Sequence, residues 1–522
     1  MQDTPGSIDD AAERDVCWRA LKAHDARFDG SFFTAVISTG IYCRPVCRVK
    51  LPRRENCRFF HLAAQAEAAG FRPCLRCRPE LAPRAGPGPA WSTEDATRIL
   101  ALQAARLMDE PDAWAAGEPP GAARVAARLG VSDRHLRRIF EAHFGVSPLQ
   151  YLQTRRLLAA KQLIADTRLP MAEVAAASGF ASVRRFNSAF SGRYGLNPSA
   201  LRRAGAAAPG PHATVVRLGW RPPYDAAAML DFFARRALPG MEAVDGARLM
   251  RTLRVGQGAQ ARCGWLALRF DVPHARVLLE VGDALAPALP AVIARVRAML
   301  DLDADPQAIN AALHARFPLG DGLRVPGTPD GFELAVRAVL GQQVTVAAAR
   351  TLGGRLVAAF GEAVETPFAG MARLFPTPAA LAAASGDALG RLGIVRQRQA
   401  ALQALARETA AGRLALYPGA DVAATCAALR ALPGIGDWTA QYVAMRALRW
   451  PDAFPAGDVA LQKALGVATA RAAEAAAQGW RPWRSYAVLR AWHAPCTDTP
   501  ELILETAVDR FVSLARPHAI ER

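Results

Sequence analysis

The sequence predicts a multidomain protein: a small α+β module, an all-α double helix-turn-helix unit, then an α/β subdomain followed by an all-α subdomain. Three observations carry this. The chain has 522 residues, too many for one core when domains usually run about 100–200 residues. Two proline- and glycine-rich stretches, 84–90 and 204–212, cannot bury a core and read as linkers. Character also changes across them. Cysteine and phenylalanine gather in the first piece, helical periodicity with an internal repeat fills the second, and the third passes from strand-like runs to helices. The expected boundaries are 1–85, 92–203, 213–300 and 301–500.

Composition narrows the function classes. Hydrophobic residues make up 51% and charged residues 21%, ordinary for folded globular protein. The net charge of +17 favours a polyanionic partner, with nucleic acid first. The start is acidic and polar, and no uncharged apolar run approaches the roughly 18–20 residues of a membrane span. A cytoplasmic, nucleoid-associated protein with no membrane contact is expected. Nine cysteines without an export signal argue against a disulfide framework.

Four of those cysteines form two close pairs, Cys43-x3-Cys47 and Cys74-x2-Cys77, separated by 26 residues. This is a zinc-site spacing, since four thiolates close a tetrahedron around Zn2+. The alternative is four reduced, buried cysteines. Cys17 and Cys57 fit no second pair. A zinc held by four thiolates carries a formal charge of about minus two, so its sulfurs can act as nucleophiles as well as ligands. Arg44, Arg48, Lys50, Arg53, Arg54, Arg72, Arg76 and Arg78 surround the pairs and would offset repulsion from DNA phosphates. Arg44 and Arg48 are the nearest candidates for DNA contact.

Thr39-Gly-Ile-Tyr-Cys-Arg-Pro-Val-Cys47, Arg54-Glu-Asn-Cys57 and Ala69-Gly-Phe-Arg-Pro-Cys-Leu-Arg-Cys77 resemble the N-terminal domain of the Ada adaptive-response family. The resemblance covers roughly residues 13–82. It implies that Cys43 accepts a methyl group from a DNA methylphosphotriester, once and irreversibly, with zinc both structural and activating. Methylation turns a thiolate into a thioether, removes one negative charge and strengthens DNA binding. A regulator of transcription that works with RNA polymerase follows from the resemblance. A purely structural zinc site is the competing reading.

The middle piece contains two similar units, one running from Arg124 to Phe140 and one from Met171 to Phe190. In each, a short helix precedes a glycine-containing turn and a longer basic helix, the pattern of a helix-turn-helix. Ser132 and Ser182 are the expected N-caps. Leu136, Ile139, Phe140, Phe186 and Phe190 would face inward, leaving Arg137, Arg138, Arg184 and Arg185 for DNA. A plain helical bundle with solvated arginines is the alternative. Gly179-Phe180, Phe186, Phe190 and Gly195-Leu-Asn-Pro198 resemble the DNA-binding domains of the AraC family, which implies two tandem readers of successive major grooves.

Leu432-Pro-Gly-Ile-Gly-Asp-Trp-Thr-Ala440 has the form of a helix–hairpin–helix. Gly434 and Gly436 permit a tight turn whose amides face a DNA phosphate, and its carbonyls could hold a monovalent cation. Asp458 follows Gly436 by 22 residues, within Phe454-Pro-Ala-Gly-Asp-Val-Ala. Alone, such an aspartate is an N-cap. Together the two motifs resemble the helix–hairpin–helix/Gly-Pro-Asp glycosylases. Trp220-Arg-Pro-Pro-Tyr-Asp225, Ala338-Val-Leu-Gly-Gln-Gln343, Phe375-Pro-Thr-Pro378 and Trp480-Arg-Pro-Trp-Arg-Ser-Tyr-Ala487 bring the match close to AlkA-type 3-methyladenine glycosylases, over about 213–500.

That resemblance makes Asp458 the catalytic carboxylate beneath an oxocarbenium-like sugar. It makes Trp438, Tyr442 and Trp492 the aromatic lining for a flipped, electron-deficient base; ordinary core aromatics are the alternative. Trp438 stands where strand-cutting relatives carry a Schiff-base lysine, which implies a monofunctional, base-releasing enzyme. No four-cysteine iron–sulfur motif is present, Cys426 and Cys496 being isolated. The family's apolar wedge position is occupied by Gln343. Pro495-Cys496 is followed by Thr497, so the second Ada methyltransferase motif is missing and direct O6-methylguanine repair is not expected. The expected function is therefore an alkylation-damage regulator joined to an alkylbase glycosylase acting on double-stranded DNA. The competing reading is a pure regulator whose glycosylase fold only binds DNA.

Overall fold

The computed structural model describes residues 6–83, 96–110, 121–205, 213–256, 258 and 261–493. The expected linker at 84–90, most of that at 204–212, and Cys496 lie outside the described residues. No helix among the described residues is long and apolar enough to cross a membrane.

The N-terminal module opens with the helix Ala11–Lys22, capped by the Asp10 side chain on the Glu13 amide. Four short strands follow: β1 (Phe33–Val36), β2 (Ile41–Cys43), β3 (Cys57–Phe60) and β4 (Arg72–Pro73), ordered β3-β1-β2-β4. β1 is antiparallel to β2 and β3, whereas β4 runs parallel to β2 with Tyr42 opposite Pro73. That register matters chemically, because it carries the next residue on each strand, Cys43 and Cys74, to the same end of the sheet. Cys17 and Cys57 are buried beside Phe32 and Phe59. Burial pushes their thiols up to about 12 and about 11, so neither is a nucleophile at neutral pH.

Both helix-turn-helix units form where the repeats predict. Helices Ala122–Arg128 and Asp133–Phe144 make the first; Met171–Ala177 and Val183–Tyr194 make the second. Ser132 accepts from the His135 amide and Ser182 from the Arg185 amide, and each longer helix ends on a left-handed glycine, Gly145 or Gly195. Such a cap contributes about 1 kcal/mol. Leu136, Ile139, Phe140, Phe186 and Phe190 are buried as the spacing requires. The helix Pro148–Asp166 joins the two units and is buried on several faces.

The next unit is a five-stranded antiparallel sheet: β5 (Ala213–Gly219), β6 (Glu242–Asp245), β7 (Arg248–Val255), β8 (Arg262–Asp271) and β9 (Arg276–Gly282), ordered β5-β9-β8-β7-β6. Alternating burial along β5 and β9 matches a sheet packed on one face. Helices Ala226–Arg236 and Leu289–Leu300 contribute to the same core. From Pro306 to His493 the chain is helical and encloses its own core. Arg251, fully buried on β7, pairs with Glu242 and Glu333 and so ties the sheet to the first long helix of this part, Gly331–Leu340.

Packing runs across the module borders. Leu157, Phe186 and Phe190 share one apolar cluster with Val216, Leu218 and Leu266 of the sheet, and with Leu81 of the N-terminal module. Charged contacts cross as well. Arg78 pairs with Asp166, and Lys161 pairs with Glu80. Glu67, fully buried, accepts from the hydroxyls of Tyr42 (3.0 Å), Thr154 (3.1 Å) and Tyr194 (3.3 Å) and pairs with Arg193.

Burial pushes the Glu67 carboxyl up to about 7, although Arg193 and the three hydroxyls favour its ionised form. The folded state thus holds the proton more tightly than an unfolded chain, where a glutamate has its ordinary value of 4.5. The resulting stability is full below about pH 4.5 and is lost as pH rises through about 7. Wild-type protein should show a melting temperature that falls across this window, and Glu67→Gln should flatten the fall. Superimposable pH profiles for the two proteins would exclude this role.

Candidate metal centre and candidate active site

Parallel pairing of β2 with β4 brings the two cysteine pairs together. The Sγ atoms of Cys43, Cys47, Cys74 and Cys77 all lie within 4.8 Å of one another, and this is the one such ligand group among the described residues. A tetrahedral zinc with Zn–S bonds of about 2.3 Å needs sulfurs about 3.8 Å apart, so the cluster fits the ion. The Arg44 amide donates to Cys77 Sγ at 3.4 Å.

The arginines around this cluster divide. Arg48, Arg53, Arg54 and Arg76 are exposed, as a phosphate-facing set requires. Arg44 departs from the expectation. Its guanidinium is largely buried, forks onto both carboxylate oxygens of Asp29 and donates to the Cys77 carbonyl at 3.1 Å. Asp29 in turn lies against the sheet unit that follows the DNA readers, its carbonyl accepting from Arg221 at 3.1 Å. Arg78 is likewise committed to Glu80 and Asp166. A buried carboxylate needs a partner more than an arginine in water needs a phosphate, so both side chains turn inward. Arg137, Arg138, Arg184 and Arg185 are exposed on the second helices of their units.

In the C-terminal part, the helix Val422–Arg430 leads through Gly434, at φ +74°, to the helix Asp437–Arg446. The Gly436 N-cap offers no side chain, so the first amides of that helix stay open to an anion. Asp437, an acid in the same first turn, is paired with Arg430. Across the turn lies Gln343, exposed and non-glycine, at φ +52°. Such a conformation costs roughly 1–2 kcal/mol and marks a residue held for a purpose. Gln342 beside it donates to the Gly434 carbonyl (2.9 Å) and to Thr439 Oγ1 (3.0 Å), while Arg398 donates to the Gln342 carbonyl. The turn carrying Gln343 and the hairpin are therefore one rigid piece.

Asp458 caps the helix Val459–Leu465 by accepting from the Leu461 amide at 2.7 Å. It does more than cap. Oδ1 also accepts from Trp492 Nε1 at 3.0 Å, and Oδ2 accepts from Trp438 Nε1 at 2.8 Å. Trp438 stacks on Tyr442 with ring centroids 5.1 Å apart and planes 12° from parallel. Tyr442 and Trp492 stand 6.5 Å apart at 46°. The three rings therefore cluster beside the carboxylate, with Tyr442 and Trp492 tilted against each other rather than parallel. All four residues singled out from the sequence thus converge, with the indoles serving as donors to the carboxylate as well as walls.

Sequence reasoning missed Gln342, Arg236 and Arg446. Arg446 is buried one turn beyond Tyr442 and donates to its hydroxyl. Spacing of four on one helix was the available signal.

Over 493 residues the chain is 40% identical to the probable bifunctional transcriptional activator/DNA repair enzyme AlkA of Mycobacterium tuberculosis, spanning 91% of this chain and 95% of that protein. The chain belongs to this family. Residues 16–80 match the metal binding domain of Ada, 125–204 a helix-turn-helix domain, 215–330 the AlkA N-terminal domain and 336–482 the HhH-GPD superfamily of base excision DNA repair proteins. It is also similar to DNA-3-methyladenine glycosylase 2 of Escherichia coli, 36% identical over 53% of this chain and 96% of that one. With the bifunctional transcriptional activator/DNA repair enzyme Ada of Escherichia coli it shares 34% identity over 29% of this chain and 38% of that one. The four-cysteine cluster is accordingly the metal centre of an Ada-type domain and suits Zn2+.

Purified protein should carry about one equivalent of zinc by elemental analysis. Cys47→Ala or Cys74→Ala should lose it and lower the melting temperature. Full retention of the metal by both variants would remove these residues from the ligand set.

Proposed function

We propose that this protein senses and repairs alkylated DNA through two separate anionic centres. The single observation that carries the repair half is the Asp458 carboxylate, held by two indole N–H groups and one amide within the cluster of Trp438, Tyr442 and Trp492. Three donors fix its orientation without neutralising it, each such bond being worth about 1.5–3 kcal/mol.

The chemistry that suits this arrangement is hydrolysis of an N-glycosidic bond. An alkylated purine is flipped from the duplex and stacks by its electron-poor face on the aromatic rings. The C1′–N bond breaks, its electron pair leaves with the base, and positive charge develops on the deoxyribose. Asp458 stabilises that charge, and water adds to C1′ with loss of a proton. Gln343 fills the space left in the duplex, while the open amides after Gly434 and Gly436 hold the phosphate backbone. The remaining hairpin carbonyls are the place for a monovalent cation. Trp438 in place of a lysine supports release of the base without strand cleavage.

At the other end, Cys43 Sγ attacks the methyl carbon of a methylphosphotriester; an S–C bond forms, the C–O bond breaks and a phosphodiester anion leaves. Zinc, when bound, keeps the thiol ionised at neutral pH. Among the four, the Arg44 amide draws on Cys77 Sγ, and the likeness to the metal binding domain of Ada favours Cys43 as acceptor. The exposed Arg48, Arg137, Arg138, Arg184 and Arg185 supply the contacts to DNA, with RNA polymerase as the partner for activation. Domain limits of 1–85, 92–203, 213–300 and 301–500 accompany this reading.

Incubated with alkylated duplex, the protein should release free 3-methyladenine and 7-methylguanine, and Asp458→Asn should slow release by on the order of 10²–10³-fold. Equal release by the variant would remove Asp458 from the chemistry; no release by wild type would leave a regulator that only binds DNA. Peptide mass spectrometry after exposure to methylphosphotriester DNA should find one added methyl on Cys43, and a methyl on another cysteine would reassign the acceptor.

A further inference from the structure

The cysteine cluster and the aromatic site around Asp458 are joined through the interior by a run of hydrogen bonds and short backbone segments. Arg44, the residue after Cys43, lies between two anionic groups. Its amide donates to Cys77 Sγ at 3.4 Å and its Nη1 to the Cys77 carbonyl at 3.1 Å, while Nε donates to Asp29 Oδ1 at 2.8 Å. Among the described residues Arg44 is the one cation paired with the buried Asp29 carboxylate. Strand β5 passes against this pair: a Cβ on Gly219 would stand 3.1 Å from Arg44 Nη2 and 3.4 Å from Asp29 Oδ2.

Two residues beyond Gly219, Arg221 takes up the run. It is buried, donating from Nε to the Asp29 carbonyl at 3.1 Å and from Nη1 to the Asp303 carbonyl at 2.8 Å. Its own carbonyl accepts from Arg324 Nη2 at 2.8 Å, as the Pro223 carbonyl does at 2.6 Å. The segment that Arg324 begins ends on a further buried arginine. The Pro326 and Gly327 carbonyls accept from Arg446 at 2.7 and 3.3 Å, and Arg446 donates to the Tyr442 hydroxyl. A parallel route leaves the same stretch of chain. The helix Ala226–Arg236 starts directly after Asp225, and its Phe232 ring centroid lies 4.7 Å from the Arg446 Cζ and 3.8 Å from the Arg236 Cζ.

We propose that the acceptor centre controls the glycosylase through this run: a methyl on Cys43 speeds base release in the same chain. This rests on both halves of the function proposed above. Methyl transfer forms the S–C bond as the C–O bond breaks and a phosphodiester leaves, so an anionic sulfur becomes a neutral thioether. The cluster then attracts Arg44 less, and the guanidinium belongs more fully to Asp29. In a buried setting a change of one charge is weakly screened. A firmer Arg44–Asp29 pair holds the Asp29 backbone, and with it Arg221, Arg324 and the segment that Arg446 grips. Tyr442 is then better fixed, and so is Trp438, which stacks on it and donates to Asp458. The arginines of the run are positioning residues, since none touches a reacting atom.

The test uses the full zinc-loaded chain before and after exposure to an oligonucleotide carrying a methylphosphotriester, which is then removed. Mass spectrometry checks for the methyl on Cys43. Amide hydrogen exchange is followed without DNA. Release of 7-methylguanine is followed in a single turnover with protein in saturating excess, so that tighter binding cannot pass for faster release. The methylated wild type should exchange more slowly over 437–446 and release the base about threefold faster or more. Arg221→Met should take up the methyl normally yet show neither difference, and Arg221→Lys, which keeps a donor for the Asp29 carbonyl, should restore part of both. If Arg221→Met does not fold, the two wild-type forms decide alone. Equal exchange and equal rates in those forms, or a difference that survives in Arg221→Met, overturn the proposal. A chain that takes no methyl on Cys43 defeats the acceptor reading, and one that releases no base in either form defeats the glycosylase reading; the coupling falls with either.

Discussion

A carboxylate set among aromatic rings loses part of its water, and something must replace it. At Asp458 the replacement is three N–H groups, two from indoles and one from the start of a helix. Because the donors come from three elements, the hairpin helix, the short helix after it and the last helix before His493 must all be in place before the carboxylate is. The same side chains that form the pocket therefore also orient its charged group. A change to either tryptophan alters the wall and the carboxylate together.

The thiolate cluster obeys a similar constraint at the other end of the chain. Four sulfurs converge because two short parallel strands end side by side, and the cations nearest them are split between solvent and interior. Arg44 is turned inward by Asp29, and Asp29 is itself overlaid by Arg221 from the glycosylase half. Arg78, Lys161, Glu80 and Asp166 form a second buried set between the first module and the DNA readers. Buried ion pairs add little net stability, since desolvation offsets attraction, but an unpaired member is expensive. Their effect is to permit one arrangement of the modules and penalise others.

Much of this was legible beforehand because the signals are local. A serine that caps a helix, a glycine at positive φ, or two cysteines three residues apart acts through its own backbone, and Ser132, Ser182, Gly434 and the cysteine pairs fell where spacing put them. The convergence of Trp438, Tyr442, Trp492 and Asp458 was legible from motifs taken together. The inward turn of Arg44 and Arg78 was not. An arginine in a basic stretch looks the same whether it faces water or a buried aspartate distant in the sequence. Gln342, Arg236 and Arg446 escaped for the same reason.

By itself, then, the amino-acid order determined the modules, the helix starts, the metal ligand set and the chemistry available at each end. These depend on side-chain type and short spacings, which survive in any conformation. Tertiary structure alone decided which cations serve DNA and which serve the interior, how Asp458 is oriented, and what stands behind Tyr442. Those outcomes depend on the competition between burial and pairing, which is settled only when distant segments share one low-dielectric space.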